Sequence, residues 1–590
     1  MARDRTPREV VPFARPEGWP VSSKPMRIAL VGWATLSQQA RQGSGYNLSA
    51  SELAAGLAMS GHEVSYLRSG LDYSLRPGIR IEEDERWRGV RCYTLINSPV
   101  PSPAFVSMRA PRTETSCPEL AAAVADWMRS IDAAVLHAHS LEGYSFDLVQ
   151  RVRDDGRAVV LTLHNYWMVC SQVDLFRNEQ RICADYEGGR ACETCMDAPE
   201  PGRVRRNRAV QASTHRALGP RAHRLLRAAN DTAKRLLARA TPTGGTAKNH
   251  ALDHVQADPE AKLGWGTGDG DHPGTIDFGF GQHPDEKPPE FPPLPADENE
   301  RFLANRDVHL EVLNDYGTRR QAGIAALNAA SAVIPPSEFL TEVHRAMGLR
   351  PEHSRRVLLG QPHLDQINRA TRRDPSYDSV PWTPDDPGPL RLGFLGTVRA
   401  NKGFEVLAQA IEALPRDVRQ RCHFHLRVGG HDWPYRKRLS RFPEVSMLGG
   451  YDPFSLVSAT REYHVGIVPH VWFENSPIVL LEQLHAGRFT LAARIGGPVD
   501  WIAEPGTPEA RGNEGLGNGL LFPGATPEAL ATAIARIVSG EVALPTPRQV
   551  HAISVLGSYP RHVAEVEWVY RASIAGEAIP AEDLGDPAAV

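Results

Sequence analysis

Residues 464–493 read HVGIVPHVWFENSPIVLLEQLHAGRFTLAA, and the pattern is strand, loop, helix, strand. The run His464–His470 is apolar and β-branched, as a strand buried on both faces should be. Ser476 is placed to cap a helix, with Pro477 at the first helical position, where its missing N–H costs nothing. Gly487 closes that helix from the left-handed conformation, and Phe489–Ala493 forms the next strand. Glu474 sits in the loop and Glu482 on the helix. Asn475, Ser476, Pro477 and Ile478 form the helix N-terminus between them, which suits a phosphate. The unit thus offers a diphosphate seat and two acceptors for sugar hydroxyls. An ordinary βαβ unit with two solvated glutamates would show the same spacing.

The wording around the two acids carries more than their spacing. FENSPIVLLEQLHAG (473–487) and ARIGGPVDWI (493–502), with seven residues between Glu474 and Glu482, resemble the retaining GT-B glycosyltransferases of family 4, the glycogen synthase and mannosyltransferase-like group. The resemblance implies an α/β chain of two doubly wound, Rossmann-like domains facing each other across a cleft. It implies a nucleotide-sugar donor, a hydroxyl acceptor (a sugar, a lipid-linked glycan or another alcohol), retention at the anomeric carbon, and catalysis without a cofactor or metal. In that family the first glutamate faces the donor sugar and the second binds the ribose.

Bulk properties agree with a globular enzyme. At 590 residues the chain has length for more than one core. Hydrophobic residues at 41% and charged residues at 23% are ordinary for a folded protein. A net charge of −4 argues against nucleic acid as a partner. No apolar run reaches the roughly 18 residues of a membrane span. The first two dozen residues lack the apolar core of a secretory signal, and the seven cysteines are an odd number. These features together lead to an expected cytoplasmic location.

Residues 1–25 read as a polar tail and 26–371 as the first domain, on the acceptor side. Arg27–Gly32 is its first strand. The following loop carries Gly43 and Gly45, where a backbone can approach a ligand or simply turn tightly. Ser49 and Glu52 predict a capping box, Gly61 ends the helix, and His62–Leu67 is the second strand. Further strands are predicted at Val90–Leu95, Ala134–Ala138 and Val159–Leu163, with helices at Pro118–Arg129 and Glu142–Arg153. His139 and His164 follow strand ends, where ligands of open α/β sheets bind. His139 resembles a family histidine that touches the donor sugar. His164 suits either a ligand contact or a structural role.

Cys170, Cys183, Cys192 and Cys195 lie in a loop poor in apolar residues. Four thiolates can satisfy a tetrahedral structural zinc; free thiols or a redox pair are the alternative. An insertion covers about 200–298. Its basic part, 203–239, has eleven Arg and Lys against Asp231, and reads as a solvated helical face or as a peripheral contact with the inner face of a membrane. The part from 241 to 297 is too rich in Gly, Pro and Asp to bury a core. Helix resumes over Asp297–Ala330, followed by a strand at Ala332–Pro335, a helix in IPPSEFL and a strand in RRVLLG.

A Pro/Asp linker (372–390) leads to a nucleotide-sugar-binding domain at 391–545. Its first strand ends in a turn holding Thr397, Arg399 and Lys402. Lys402 is a compact cation suited to a diphosphate. The family commonly has an arginine where this chain has Thr397, and Arg399 could supply that charge. Strands follow at His423–Val428 and Val445–Leu448, the latter followed by Tyr451 where the family seats the base. A helix spans Pro527–Ser539. Helices over 546–575 are expected to cross back onto the first domain, and 576–590 to form a tail. The function so read is sugar transfer in glycan or glycoconjugate synthesis, through Glu474, Lys402 and His139. A sugar-nucleotide epimerase or hydrolase of the same fold, or a binding scaffold, is the alternative.

Overall fold

A computed structural model of the chain describes residues 15–16, 18–37, 45–219, 294–295, 297–378, 381–429, 432–451 and 455–580. Two sheets dominate. The first contains β1 (Arg27–Gly32), β2 (Glu63–Asp72), β3 (Arg80–Trp87), β4 (Val90–Ile96), β5 (Val135–Ala138), β6 (Ala158–Thr162) and, after the hairpin β7 (Phe176–Arg177) and β8 (Arg181–Ile182), β9 (Ala332–Ile334). Its order is β3-β4-β2-β1-β5-β6-β9, parallel except for the antiparallel edge strand β3. The second sheet is wholly parallel, in the order β12-β11-β10-β13-β14-β15. These strands are β10 (Leu390–Thr397), β11 (Cys422–Gly429), β12 (Val445–Leu448), β13 (Val465–Val468), β14 (Phe489–Ala493) and β15 (Gly519–Phe522). Two doubly wound domains are the GT-B architecture.

Each sheet reverses its winding beside its first strand. From β1 the chain goes to β2 on one side and returns to β5 on the other; from β10 it goes to β11 and returns to β13. The crevice at such a reversal lies beyond the carboxyl ends of the strands and is where open α/β sheets bind ligands. Full burial of β13 and β14 explains their continuous apolar sequences.

The C-terminal helix Tyr559–Ala575 packs against residues of the first domain. Tyr559 donates to the carbonyl of Glu52 at 2.6 Å, and Val563 packs on Gly56. Tyr570 reaches His137 at 2.6 Å.

Several local expectations are corrected. The helix after β1 starts at Gly45, so Ser49 and Glu52 lie inside it, buried, and Glu52 pairs with Arg88 at 2.8 Å instead of capping. The stretch 297–330 breaks into Glu298–Ala304, Arg306–Leu310 and Asp315–Ala329. Asn314 caps the last of these through the amides of Tyr316 and Gly317. RRVLLG is not a strand; Arg355 N donates to the Val333 carbonyl of β9 and Val357 N to the Pro335 carbonyl just past it. Within 372–390, Tyr377 and Trp382 are buried, and the chain enters this segment from a helix at Pro362–Arg373. Edge strand β3 escaped notice because RIEEDERW is nearly all charge. Gly43, residues 220–293 and the outermost tails lie outside the described residues, so expectations for them stand where they were.

Candidate active site

The loop between β13 and the helix Ile478–His485 carries a polar cluster at the second sheet's reversal. Lys402 Nζ lies 2.5 Å from Glu474 Oε2 and 5.4 Å from the centre of the Trp472 ring. Trp472 Nε1 donates to the same oxygen at 3.2 Å, and His470 Nδ1 stands 3.1 Å from it. Burial opposes ionisation of Glu474, but the Lys402 charge and the His470 contact outweigh it and hold the carboxyl at about 2. Burial, with Lys402 nearby, lowers the pKa of His470. The cluster is therefore a carboxylate with one cation and a neutral imidazole.

Backbone geometry fixes this cluster. Lys402 closes a single 3-10 turn, Ala400–Lys402, followed by Gly403 at φ +67°. A Cβ at Gly403 would lie 1.7 Å from the carbonyl oxygen of Pro469, so only glycine lets the Lys402 turn meet the β13 loop. Behind Glu474, Gly497 N donates to the Glu474 carbonyl at 2.6 Å, and a Cβ there would lie 1.6 Å from the Asn475 carbonyl oxygen. Phe473 anchors the loop from below against Phe302 and Phe339, with ring centres at 4.8 and 5.2 Å.

Glu482 lies two turns of chain further on, buried on the helix. Tyr451 donates to its Oε2 at 3.4 Å and His363 Nε2 stands 3.3 Å from Oε1. The expected Ser476 cap is corrected: Pro477, extended at ψ 114°, takes the cap position, and the helix starts at Ile478. Ser476 Oγ and Asn475 Oδ1 are then buried atoms without a hydrogen-bond partner among the described residues. Buried polar atoms are rarely left unpaired, and these two flank a helix N-terminus.

The first domain supplies the facing wall. Asn475 Nδ2 donates to the carbonyl of His164 at 2.5 Å, across the two domains. His139 Nδ1 lies 2.9 Å from His164 Nε2, and His139 Nε2 is buried with no hydrogen-bond partner among the described residues. Burial pushes His139 well below its usual range and His164 to about 3, so both rings are neutral. A Cβ on Gly45 would sit 3.7 Å from Ile478 Cγ2, so the first helix of one domain opens against the helix tip of the other. The structure therefore gathers Glu474, Asn475, Ser476, Pro477, Ile478, Lys402, His139 and Gly45 at one place, with Glu482 further along the helix and Tyr451, from the segment after β12, against Glu482. Thr397 and the exposed Arg399 lie on the Lys402 turn, where Lys402 N donates to the Arg399 carbonyl at 3.1 Å and Arg399 N to the Thr397 carbonyl at 2.9 Å.

His470, Trp472 and His363 were not singled out from sequence. His470 and Trp472 had a readable signal, since both stand beside Glu474 in the same loop. His363 had none beyond Pro362 opening a helix, because its partner Glu482 is more than a hundred residues away.

Cys170, Cys183, Cys192 and Cys195 converge elsewhere, in the loop after β6. No helix among the described residues is long and apolar enough to cross a membrane. The helical residues 201–219 expose Arg203, Arg205, Arg206 and Arg216 but bury Arg208, which donates to the Gly70 carbonyl at 2.7 Å.

Residues 389–540 match the model of the family described as glycosyl transferases group 1. The match covers the second sheet and the cluster around Glu474. A stretch of 173 residues is 27% identical to the glycogen synthase of Bordetella parapertussis, covering 29% of this chain and 27% of that protein. A shorter stretch of 66 residues is 46% identical to the glycogen synthase of Ralstonia nicotianae, covering 11% and 12%. The chain thus matches about a quarter or less of the length of these curated relatives. Among solved structures, sucrose-phosphate synthase from Thermosynechococcus elongatus aligns over 94% of this chain and all of its own, at 14% identity and a TM-score of 0.48. The catalytic domain of starch synthase IV from Arabidopsis thaliana, bound to ADP and acarbose, aligns over 94% and 100%, at 11% identity and a TM-score of 0.46.

Proposed function

We propose that the chain is a retaining glycosyltransferase of the family 4 type, moving a sugar from a nucleotide diphosphate sugar to a hydroxyl acceptor. The observation that carries this reading is the meeting of Lys402, Glu474 and the Ile478 helix tip opposite His139, with buried Ser476 Oγ and Asn475 Oδ1 left unpaired beside them. Ser476 Oγ is a spare donor and Asn475 Oδ1 a spare acceptor, so a ligand with phosphate and hydroxyl groups can use both.

In this reading the diphosphate lies at the helix tip, and Glu482 receives the ribose hydroxyls while Tyr451 borders the base. Lys402, with Arg399 near the mouth, meets the diphosphate. Glu474 and His139 hold the donor sugar, and Gly45 borders it. The bond from the anomeric carbon to the phosphate oxygen breaks as the acceptor oxygen forms its own bond to that carbon on the same face. The acceptor proton passes to the departing phosphate oxygen, so no protein nucleophile is needed. Charge growing on that diphosphate is met by Lys402 and the free N–H groups of the helix, which assigns the stabilising work to protein groups. Neutral His139 can accept or donate to a sugar hydroxyl without adding charge.

Incubating the protein with UDP-, GDP- and ADP-sugars and following nucleotide release tests the reading. Release that depends on an added alcohol acceptor, with the α or β configuration of the donor preserved in the product, supports it. Release without acceptor points to a hydrolase, and no nucleotide-sugar binding at all to a scaffold.

A further inference from the structure

Four cysteines separated by up to 25 positions line one cavity of about 10 Å³, together with Gln172 and Arg320. That volume suits a guest of about one atom. Cys170 stands before the β7–β8 hairpin and Cys183 directly after it; Cys192 and Cys195 flank the end of the 3-10 segment Glu187–Thr194. The fold thus turns the chain back on itself to bring distant thiols together. No disulfide joins any of them.

Two further groups at this cavity lack an anionic partner. Arg320 is only 4% exposed, yet no carboxylate among the described residues lies within ion-pair distance of it. Its Nε donates to the Val169 carbonyl at 2.9 Å and its guanidinium stacks 3.4 Å from the Tyr186 ring centre. A buried cation without a counter-charge is costly. Gln172 is 6% exposed, and its Nε2 has no hydrogen-bond partner among the described residues, although Oε1 accepts from Cys195 Sγ at 2.9 Å. Both groups are donors beside a nest of sulfurs.

We propose that Cys170, Cys183, Cys192 and Cys195 bind one structural zinc ion, with Arg320 as its counter-charge. Binding converts four thiols and Zn²⁺ into a tetrathiolate of net charge −2, releasing four protons to solvent. The guanidinium then has its missing anion, and the Gln172 amide has a thiolate to donate to. As drawn, no three ligating side chains among the described residues already share a metal-binding geometry. Cys195 is turned to Gln172, and Cys183 to the Asp185 carbonyl at 3.8 Å. Zinc binding requires these two thiols to leave those partners and join Cys170 and Cys192 around the ion, at the roughly 2.3 Å of a Zn–S bond. The gain is a staple for a loop whose own apolar content is small. This inference does not depend on the transferase reading.

The test is metal analysis of the full chain purified under reducing conditions without added metal. About one zinc per chain is expected, removable by a strong chelator with a fall in melting temperature. Cobalt(II) added to the stripped protein is expected to show thiolate-to-cobalt charge transfer and tetrahedral d–d bands. The double variant C192S/C195S should lose the metal, whereas C92S and C422S should keep it. Should the double variant fail to fold, the wild-type zinc content and cobalt spectrum still decide. Folded protein with no zinc and no cobalt–thiolate band overturns the proposal, as does an intact mass showing loss of four hydrogens to two disulfides.

Discussion

Replacing Lys402 by methionine separates the charge from the stem of that side chain. In the native chain Glu474 is held at about 2, against an ordinary 4.5, even though burial alone would raise it. A carboxyl so displaced contributes about 3 kcal/mol of stability at neutral pH. The sign follows from which state binds the proton: below 4.5 the unfolded chain takes it up first, so the contribution is full above about pH 5 and fades as pH falls towards 2. With a 30% exposed lysine, solvent screening trims that figure. K402M should therefore be less stable than the native chain by about 1–3 kcal/mol at pH 7, and the gap should shrink to about 1 kcal/mol or less by pH 3. Urea midpoints across that range measure it. Turnover in the nucleotide-release assay should fall about a hundredfold, as expected when a charge stabiliser is removed. Equal stability at pH 7, or a gap that widens in acid, would refute the electrostatic account of the pair.

Glu482→Ala should weaken nucleotide-sugar binding by about tenfold or more, the size expected for a charged hydrogen bond, as read by calorimetry. G497A forces a Cβ into the Asn475 carbonyl, and should cost about 1–3 kcal/mol in urea titration while distorting the Glu474 loop. His164 at about 3 and His344 and His562 at about 4 remain neutral when folded; unfolding should therefore take up protons below about pH 6.5, and stability should fall as pH drops from there. A flat urea midpoint between pH 6.5 and 4.5 would contradict that. Arginines on residues 201–219 should behave as a solvated face, with no salt-sensitive co-flotation on anionic vesicles; flotation reversed by salt would instead mark a peripheral membrane contact.

Much of this was legible because strong local signals and tertiary packing agree in the second domain. The β13 strand, Pro477, Gly487 and the apolar β14 run each fit the element they form, and Lys402 sits at the turn its sequence predicts. Legibility failed where packing overruled local chemistry. Ser476 resembles a helix cap, but Pro477 has no N–H and extends the chain, so the cap shifts by one and leaves the hydroxyl unpaired. Ser49 and Glu52 resemble a capping box, but helix Gly45–Met59 starts earlier, against Ile478 of the other domain. His363 meets Glu482 only after the chain has crossed between domains, and no local pattern encodes such a contact.

The central claim is that the helix tip at Ile478 seats a diphosphate next to Lys402. A crystal soaked with UDP-, GDP- and ADP-sugars tests it most directly. The account predicts phosphate oxygens on the Ile478 end of the helix and on Lys402, with ribose hydroxyls at Glu482. Well-ordered nucleotide bound anywhere else, with the Lys402–Glu474 pair untouched, would contradict it.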